Sequence, residues 1–310
     1  MDTVKETPKP NRTKAWPSLK RFDWISLILT LPFITLLVLL IALPMLLTVR
    51  NAFTSATFIG IPSEFVGFQQ FSRVLSDKNF WDSLGRSLVW VIGNALLQTV
   101  LAFFFALIVN QKMRGGSTIQ VVVMIPWIIP TVAVAVVGTW LMNSSYGVVN
   151  YALRTTGIVG TPINAFGNPS IALFSLIVLN SWHWFPFFFT VILGALKTVP
   201  EEIYEAAAID GANAFQRFKS ITFPMISRIL GIVGLVGTLW SFNIFDTIYL
   251  ITKGGPANAT FTSPIYVYET AFRQFQLGKS AAASMILMVI LIVFAILYYN
   301  LVVRKGHTNE

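Results

Sequence analysis

The sequence contains no cysteine, which excludes disulfide bonds and thiolate metal sites. Charged residues are scarce, at 11% of the 310 residues, whereas average globular chains carry about 25%. The sequence shows no paired catalytic carboxylates, no metal-binding cluster and no nucleophile triad. A phosphate-binding G-x-x-x-x-G-K-[ST] loop is also absent, which argues against ATP binding by the chain itself.

Long apolar runs dominate what remains of the sequence. Hydrophobic residues make up 55% of the chain, and the mean hydropathy is +0.69. A helix needs about 20 consecutive apolar residues to cross the hydrocarbon core of a bilayer. Such runs lie at residues 24–49, 87–110, 118–142, 171–196, 229–251 and 281–303. We therefore predict an all-α integral membrane protein with six transmembrane helices. We expect the first to be retained, because it is too long for a signal-peptide core.

The basic residues predict the orientation of these helices. Fourteen of the 22 Lys and Arg residues fall on the side of the termini. They lie in a basic N-tail (residues 1–23), at Lys112 and Arg114, between residues 197 and 228, and in a C-tail (residues 304–310). The positive-inside rule then places both termini in the cytoplasm. Anionic lipid headgroups explain the net charge of +9 without a nucleic-acid partner.

One charged segment, residues 198–224, separates the fourth and fifth apolar runs. We predict a capping box that starts at Thr198 and a helix that ends near Asp210, with a left-handed stop at Gly211. Asn213 should cap a second short helix, and Pro224 marks the entry to the fifth run. The pattern fits both a solvated amphipathic linker and an element that docks a cytoplasmic protein.

The same segment carries a family resemblance. The stretch YEAAAIDGANAFQRFKSITFP, residues 204–224, resembles the EAA signature of the membrane subunits of bacterial ABC importers. Residues 64–81 resemble the outer loop that follows the first helix of carbohydrate permeases. Residues 245–260 resemble the T-x-G-G-P loop of one subfamily, which includes the larger maltose-permease subunit and the first permease of oligosaccharide and glycerol-phosphate systems. The resemblance covers about residues 25–303.

This resemblance implies the type I ABC importer permease fold, with residues 24–303 as the transmembrane domain and residues 198–224 as a cytoplasmic coupling-helix loop. It implies a second homologous permease, two ABC ATPase subunits that bind ATP and Mg²⁺, and a periplasmic sugar-binding protein. This chain itself would then need no cofactor. The residues that match the core of the motif, and would dock on an ATPase subunit, are Glu205, Ala206, Ala207, Asp210 and Gly211. The implied function is import of a sugar, such as an oligosaccharide, across the inner membrane by alternating access.

Polar and aromatic residues inside the apolar runs are candidates for a substrate path. Intramembrane polar groups are costly and are usually turned into the bundle or towards a wet cavity. Sugars need aromatic faces for their C–H surfaces and polar groups for their hydroxyls. Four residues share one face of the fourth run on an ideal helix: Asn180, His183, Trp184 and Phe187. Ordinary helix packing explains the same spacing, and Asp246 is expected to be a solvated residue near the outer end of its helix.

The resemblance adds a specific set of residues. In the maltose-type subunit the sugar is held at the positions that match Trp127, Asn180, His183, Trp184, Phe187, Trp240, Ser241 and Ile244. His183 and Trp184 depart from the family pattern, which has an aliphatic residue and a Gly there. These bulky replacements imply either a differently shaped site or binding by the partner permease.

Two other classes of membrane protein compete with this one. An ion-driven secondary transporter would need an acid or base at mid-depth and usually repeated halves, and neither is evident. An integral-membrane enzyme would need clustered His or acidic residues at one interface. Uptake into vesicles distinguishes the three classes. It would depend on ATP and a binding protein for an ABC importer, it would depend on an ion gradient for a secondary transporter, and it would be absent for an enzyme.

Overall fold

The computed structural model describes residues 24–57, 63–111 and 115–303. Within these residues every regular element is a helix, and the one extended pairing is an isolated bridge between Thr54 and Phe65. This confirms the all-α prediction. The predicted tails at residues 1–23 and 304–310, together with Lys112 and Arg114, lie outside the described residues.

Fourteen α-helices follow one another along the described chain. They are α1 Trp24–Leu37, α2 Leu43–Ala52, α3 Gln69–Leu75, α4 Lys78–Asn110, α5 Gly116–Ile128, α6 Thr131–Leu141, α7 Val148–Thr155, α8 Ala172–Leu196, α9 Glu201–Ile209, α10 Ala214–Arg217, α11 Phe223–Phe242, α12 Asp246–Ile251, α13 Ser263–Tyr268 and α14 Leu277–Tyr298. Four single π-helical turns adjoin these helices, at Val38–Ala42, Phe218–Thr222, Glu269–Arg273 and Tyr299–Val303. The chain divides into two compact units, one ending at Thr48 and one beginning at Val49.

Five stretches of helix in the described residues are long and apolar enough to cross a membrane. They are Ile28–Ala52, Lys78–Asn110, Ala172–Leu196, Ala214–Ile251 and Leu277–Val303. Each overlaps one of the predicted apolar runs. A sixth candidate is the pair α5 and α6, which matches the predicted run at residues 118–142 but is bent by 96°. The structure therefore has a bent pair where the sequence predicts one continuous helix.

The bend lies at Ile129 and Pro130, and the proline explains it. Pro130 has no backbone N–H to continue the helix, and its ring forces the preceding residue towards an extended conformation. Ile129 accordingly has φ −71° and ψ 129°, which ends α5. Pro130 itself has ψ 138° and precedes the first turn of α6.

The core of the second unit lies where α4 and α8 pack side by side. Both helices bury large side chains completely, among them Trp90 on α4 and Leu176 and Phe189 on α8. Gly93 permits this close approach, because a Cβ added there would lie 2.8 Å from Cδ1 of Ile177. Because α5 and α11 also pack against α4 and α8, α8 is the central helix of this unit.

A charged cluster holds the N-terminal ends of α4 and α14 together. Asp77 caps α4 by accepting a hydrogen bond from the backbone N–H of Asn79 (2.9 Å). Its other oxygen accepts from Nζ of Lys279 (2.7 Å) and from the hydroxyl of Tyr266 (2.9 Å). Partial burial by itself raises the pKa of Asp77. The hydrogen bonds from Lys279, Tyr266 and Asn79 and the charge of Lys279 outweigh it, so this pKa lies below its ordinary value.

Removing the cation of this cluster should destabilise the folded chain. We expect Lys279→Ala to lower the free energy of unfolding by about 1–3 kcal/mol, because it leaves a partly buried carboxylate without its strongest partner. Since folding lowers the pKa of Asp77, the stabilisation is complete above the ordinary carboxyl pKa of about 4. It is lost as the pH falls from there through the folded pKa.

Thermal unfolding in detergent, near neutral pH and in acid, measures this effect. Lys219→Ala is the control, because Lys219 is exposed in the π turn before α11. Equal losses in the two variants would contradict the prediction. The prediction would also be contradicted if Lys279→Ala lost as much stability in acid as near neutral pH.

Candidate functional site

The segment between α8 and α11 folds around Gly211, as predicted. Asp210 ends α9, and Gly211 follows with φ 79°. The N–H of Gly211 donates to the carbonyl of Ala208 (3.1 Å), and the N–H of Ala212 donates to the carbonyl of Ala207 (2.9 Å). These two bonds form a Schellman motif, which ends a helix and needs a residue that tolerates positive φ.

The start of α9 differs from the prediction. Thr198 does not cap this helix: its hydroxyl donates to the carbonyl oxygen of Ala195 (2.7 Å) in the last turn of α8. Pro200 takes the N-cap position instead, with φ −61° and ψ 137°. A proline restricts the residue before it to extended conformations. The predicted capping box is therefore wrong, because Thr198 belongs to the end of α8.

Asn213 caps the second short helix, as predicted. Its side chain accepts from the N–H of Gln216 (2.9 Å), and the side chain of Gln216 accepts from the N–H of Asn213 (2.8 Å). This reciprocal pair is a capping box. α10 then passes through a π turn into α11. The hydroxyls of Tyr204 on α9 and Thr222 lie 2.8 Å apart, which ties the segment to the base of α11.

The motif residues of this segment lie at the surface of the described chain. All are exposed except the half-buried Ala207; the exposed ones are Glu205, Ala206, Asp210 and Gly211. Beside them Ile209 is 87% exposed, the largest value for a large hydrophobic side chain among the described residues. The sequence analysis did not single out Ile209. An isoleucine at the polar end of a charged helix was nevertheless a signal that another protein covers this surface.

Four of the predicted substrate residues form one cluster between α5, α8 and α11. The ring centroids of Trp127 and Phe187 lie 6.1 Å apart, and those of Phe187 and Trp240 lie 5.2 Å apart. Trp184 lies 6.4 Å from Trp240. Trp127 and Trp240 are 41% and 50% exposed, and the other two rings are half-buried. We call these four side chains the inner aromatic cluster; they line an open side of the bundle.

A cavity of about 220 Å³ adjoins the inner aromatic cluster. Trp184, Trp240, Ser241 and Ile244 line it, with Gln98 from α4. A wall of aromatic and aliphatic groups with a few polar atoms suits a ligand that has both C–H surfaces and hydroxyls. Nowhere in residues 24–57, 63–111 and 115–303 do three His, Asp or Glu side chains come together as a metal site would require.

Asn180 lies in a buried polar network behind this cavity. Its Nδ2 donates to Oδ1 of Asn94 (2.7 Å), which also accepts from the hydroxyl of Ser181 (3.2 Å) and from Nε2 of Gln98 (3.1 Å). Its Oδ1 accepts from the hydroxyl of Thr247 (3.4 Å). Asn180 thus joins α8 to α4 and α12, and in this conformation both ends of its amide are occupied.

His183 is also turned into the bundle. Its Nε2 lies 3.0 Å from the carbonyl oxygen of Ile129, at the bend between α5 and α6. A neutral ring with its proton on Nε2 fits this contact, because that nitrogen then donates to the carbonyl. The structure therefore places His183 against the bend, a contact that the sequence did not indicate.

Sequence reasoning missed Asn94 and Gln98 on α4. Both side chains are buried, and Gln98 reaches the cavity wall. The signal was present, because two amides four residues apart in an apolar run lie on one helix face and need partners inside the bundle.

The sequence is similar to those of known transport proteins. Residues 98–306 match the family described as "Binding-protein-dependent transport system inner membrane component". The trehalose/maltose transport system permease protein MalF of Thermococcus litoralis is 34% identical over 275 residues, which cover 87% of this chain and 91% of that protein. The sn-glycerol-3-phosphate transport system permease protein UgpA of Agrobacterium fabrum is 31% identical over 249 residues, which cover 80% of this chain and 84% of that protein.

A solved structure shares the fold. It is a bacterial ABC transporter involved in the import of the acidic polysaccharide alginate, and one of its chains superposes with a TM-score of 0.80. The match covers 91% of this chain and 96% of that one, at 22% sequence identity. This confirms the predicted permease fold.

Replacing Asn180 tests the polar network. Asn180→Leu should lower the free energy of unfolding by about 1–3 kcal/mol, because Asn94 and Thr247 each lose a buried partner. Asn243→Leu is the control, since the exposed Asn243 side chain donates to the carbonyl of Leu239 in its own helix. Thermal unfolding in detergent compares the two variants, and equal stabilities would contradict a structural role for Asn180.

Proposed function

The chain belongs to the family of binding-protein-dependent transport system inner membrane components, and we propose that it forms one of two permeases through which an ATP-driven importer moves a sugar. It is a multi-pass transport subunit of the inner membrane and not an enzyme. Its relatives are named for trehalose/maltose and sn-glycerol-3-phosphate transport. An oligosaccharide is the cargo class that we favour.

The inner aromatic cluster is the observation that carries the sugar assignment. Helices α5, α8 and α11 bring the four rings into contact with one another, and two of them, Trp184 and Trp240, line the cavity together with Ser241 and Ile244. Aromatic faces cover the C–H surfaces of a sugar, and the few polar groups orient its hydroxyls. Asn180 and His183 support this site by fixing α4, α8 and the α5–α6 bend behind it.

The segment around α9 is the proposed contact with an ATPase subunit. It presents the carboxylates of Glu205 and Asp210 beside the exposed apolar surface of Ile209. Two ATPase subunits would bind ATP and Mg²⁺, since this sequence has no phosphate-binding loop. α9 follows α8 and leads through α10 into α11. Its displacement therefore reaches both helices that carry Phe187 and Trp240, which would couple ATP-driven closure to alternating access.

The family resemblance supports the rest of the proposed assembly. A second, homologous permease would complete the pathway, and a periplasmic binding protein would deliver the sugar from the other side. The excess of Lys and Arg on the side of residues 198–224 supports a cytoplasmic position for this segment and for both termini. Membrane lipid covers the remaining apolar surface.

Gly211→Pro should weaken the docking of the ATPase subunits. Proline fixes φ near about −65°, whereas Gly211 has φ 79°, so the Schellman motif cannot form. We expect normal insertion but about a tenfold loss of ATPase co-purification, which corresponds to about 1.4 kcal/mol. Gly194→Ala in α8 is the control, because an added Cβ there meets nothing within 4 Å. Full co-purification of ATPase subunits with Gly211→Pro would refute the docking role.

Uptake into vesicles that hold the complete complex tests the function itself. A labelled sugar, identified by screening the cognate binding protein, should accumulate only with ATP and the loaded binding protein. An ionophore that collapses ion gradients should leave this uptake unchanged. Uptake that requires an ion gradient would instead identify a secondary transporter, and a chemically altered sugar would identify a membrane enzyme.

Two variants then place the sugar. Trp127→Leu and Trp240→Leu should each lower uptake by about two- to tenfold, because each removes one aromatic face. Trp140→Leu is the matched control, since Trp140 on α6 is also exposed but lies outside the inner aromatic cluster. Unaltered uptake by both cluster variants would move the sugar site to the partner permease.

A further inference from the structure

A second group of aromatic side chains lies beyond the inner aromatic cluster, where α12 meets α13 and the π turn after it. The rings of Phe245 and Tyr249 stack with their centroids 4.7 Å apart. Tyr268 contacts both, at 4.9 Å from Phe245 and 4.8 Å from Tyr249. Phe272 continues the series at 5.2 Å from Tyr268. We call these four side chains the outer aromatic row.

The outer aromatic row is more open than the packed core. Phe245, Tyr249 and Tyr268 are half-buried, and Phe272 is 59% exposed. Aromatic rings that serve only to pack helices together are covered by their neighbours, as Trp90 is in this chain. Rings that remain accessible and follow directly on the cavity wall, as Phe245 follows Ile244, offer faces to the same ligand.

Polar groups border the row. Tyr249 and Tyr268 each carry a phenol hydroxyl on a ring of the row. Nε of Arg273 lies 3.4 Å from Oε2 of Glu269, in the same π turn as Phe272. A sugar presents C–H faces and hydroxyl edges, so it can stack on the rings and bond to these groups. A hydrocarbon ligand would contact the rings but could make no hydrogen bond to these groups.

The row leads from the cavity towards the far end of α4. Ile244 lines the cavity of the inner aromatic cluster, and Phe245 is the next residue. At the other end Tyr266, two residues before Tyr268, donates a hydrogen bond to Asp77 at the N-terminus of α4. In the proposed orientation this end of α4 is the periplasmic one.

We propose that the outer aromatic row is a second sugar subsite, which holds the sugar between its release from the binding protein and its arrival at the inner aromatic cluster. This inference rests on the proposed function, because it takes the ligand to be the transported sugar. Two subsites in series keep the released sugar on the protein. Without the outer one, a sugar released at the mouth diffuses away although ATP has been hydrolysed.

The test is the number of sugar molecules imported per ATP hydrolysed, in proteoliposomes that contain the complete complex and sugar-loaded binding protein. Phe272→Leu and Tyr249→Leu remove a ring and should lower this ratio by about two- to tenfold. Tyr249→Phe and Phe272→Tyr keep the ring and should retain it. Phe68→Leu is the control, because Phe68 is exposed and belongs to a separate group of rings with Phe53 and Phe71.

An unchanged ratio in the leucine variants overturns the subsite. If that unchanged ratio comes with weaker stimulation of ATP hydrolysis, the row contacts the binding protein instead. If it comes with a lower yield of complex, the row belongs to an interfacial aromatic belt. Phe272 is the most exposed of the four rings, so Phe272→Leu decides the question if Tyr249→Leu fails to assemble.

The two proposals fail in different ways. Absence of ATP-dependent sugar uptake by the unaltered complex refutes the proposed function, and the outer subsite with it. The outer subsite alone is refuted if Trp240→Leu lowers uptake while Phe272→Leu and Tyr249→Leu leave the number of sugar molecules imported per ATP unchanged.

Discussion

Oδ1 of Asn94 accepts three hydrogen bonds inside an apolar bundle, and the arrangement of the surrounding helices depends on them. A buried amide without partners is costly, so α8 has to present Asn180 and Ser181 at this depth. Trp90, one turn before Asn94, donates from Nε1 to the carbonyl oxygen of Ser241 (2.9 Å) at the end of α11. Helices α4, α8 and α11 are therefore fixed in register where the cavity opens.

The coupling segment joins the two helices whose relative position matters most for the cavity. α8 carries Phe187 and α11 carries Trp240. The 26 residues between these helices, 197–222, fold into α9, α10 and a π turn, and the contact between Tyr204 and Thr222 braces them. In the proposed function, a push on α9 would change the angle between α8 and α11, and with it the spacing of the two rings.

The sequence predicted those features that depend on local chemistry. Gly211 and Asn213 lie where they were expected, because a left-handed stop and a cap are properties of a few neighbouring residues. Thr198 was misplaced because it lies between the end of α8 at Leu196 and the N-cap of α9 at Pro200, and spacing does not tell which of the two helices its hydroxyl will bond to. Asn180 lies inside the bundle, as the cost of an intramembrane amide predicts, but it contacts α4 and α12. Its partner Asn94 is 86 residues away, a distance that periodicity cannot bridge.

The bend at Pro130 also affects how the chain reaches its final state in the membrane. α5 has 13 residues, which span about 20 Å, whereas the hydrocarbon core is about 30 Å thick. Non-helical backbone is tolerated at such depth only where protein covers it or where it lines a water-filled cavity. His183 covers one side of the bend, while Ile128 next to it is 71% exposed. In the proposed assembly a second permease or the water-filled pathway would border that side, so the bend would reach its final environment only when the transporter is assembled.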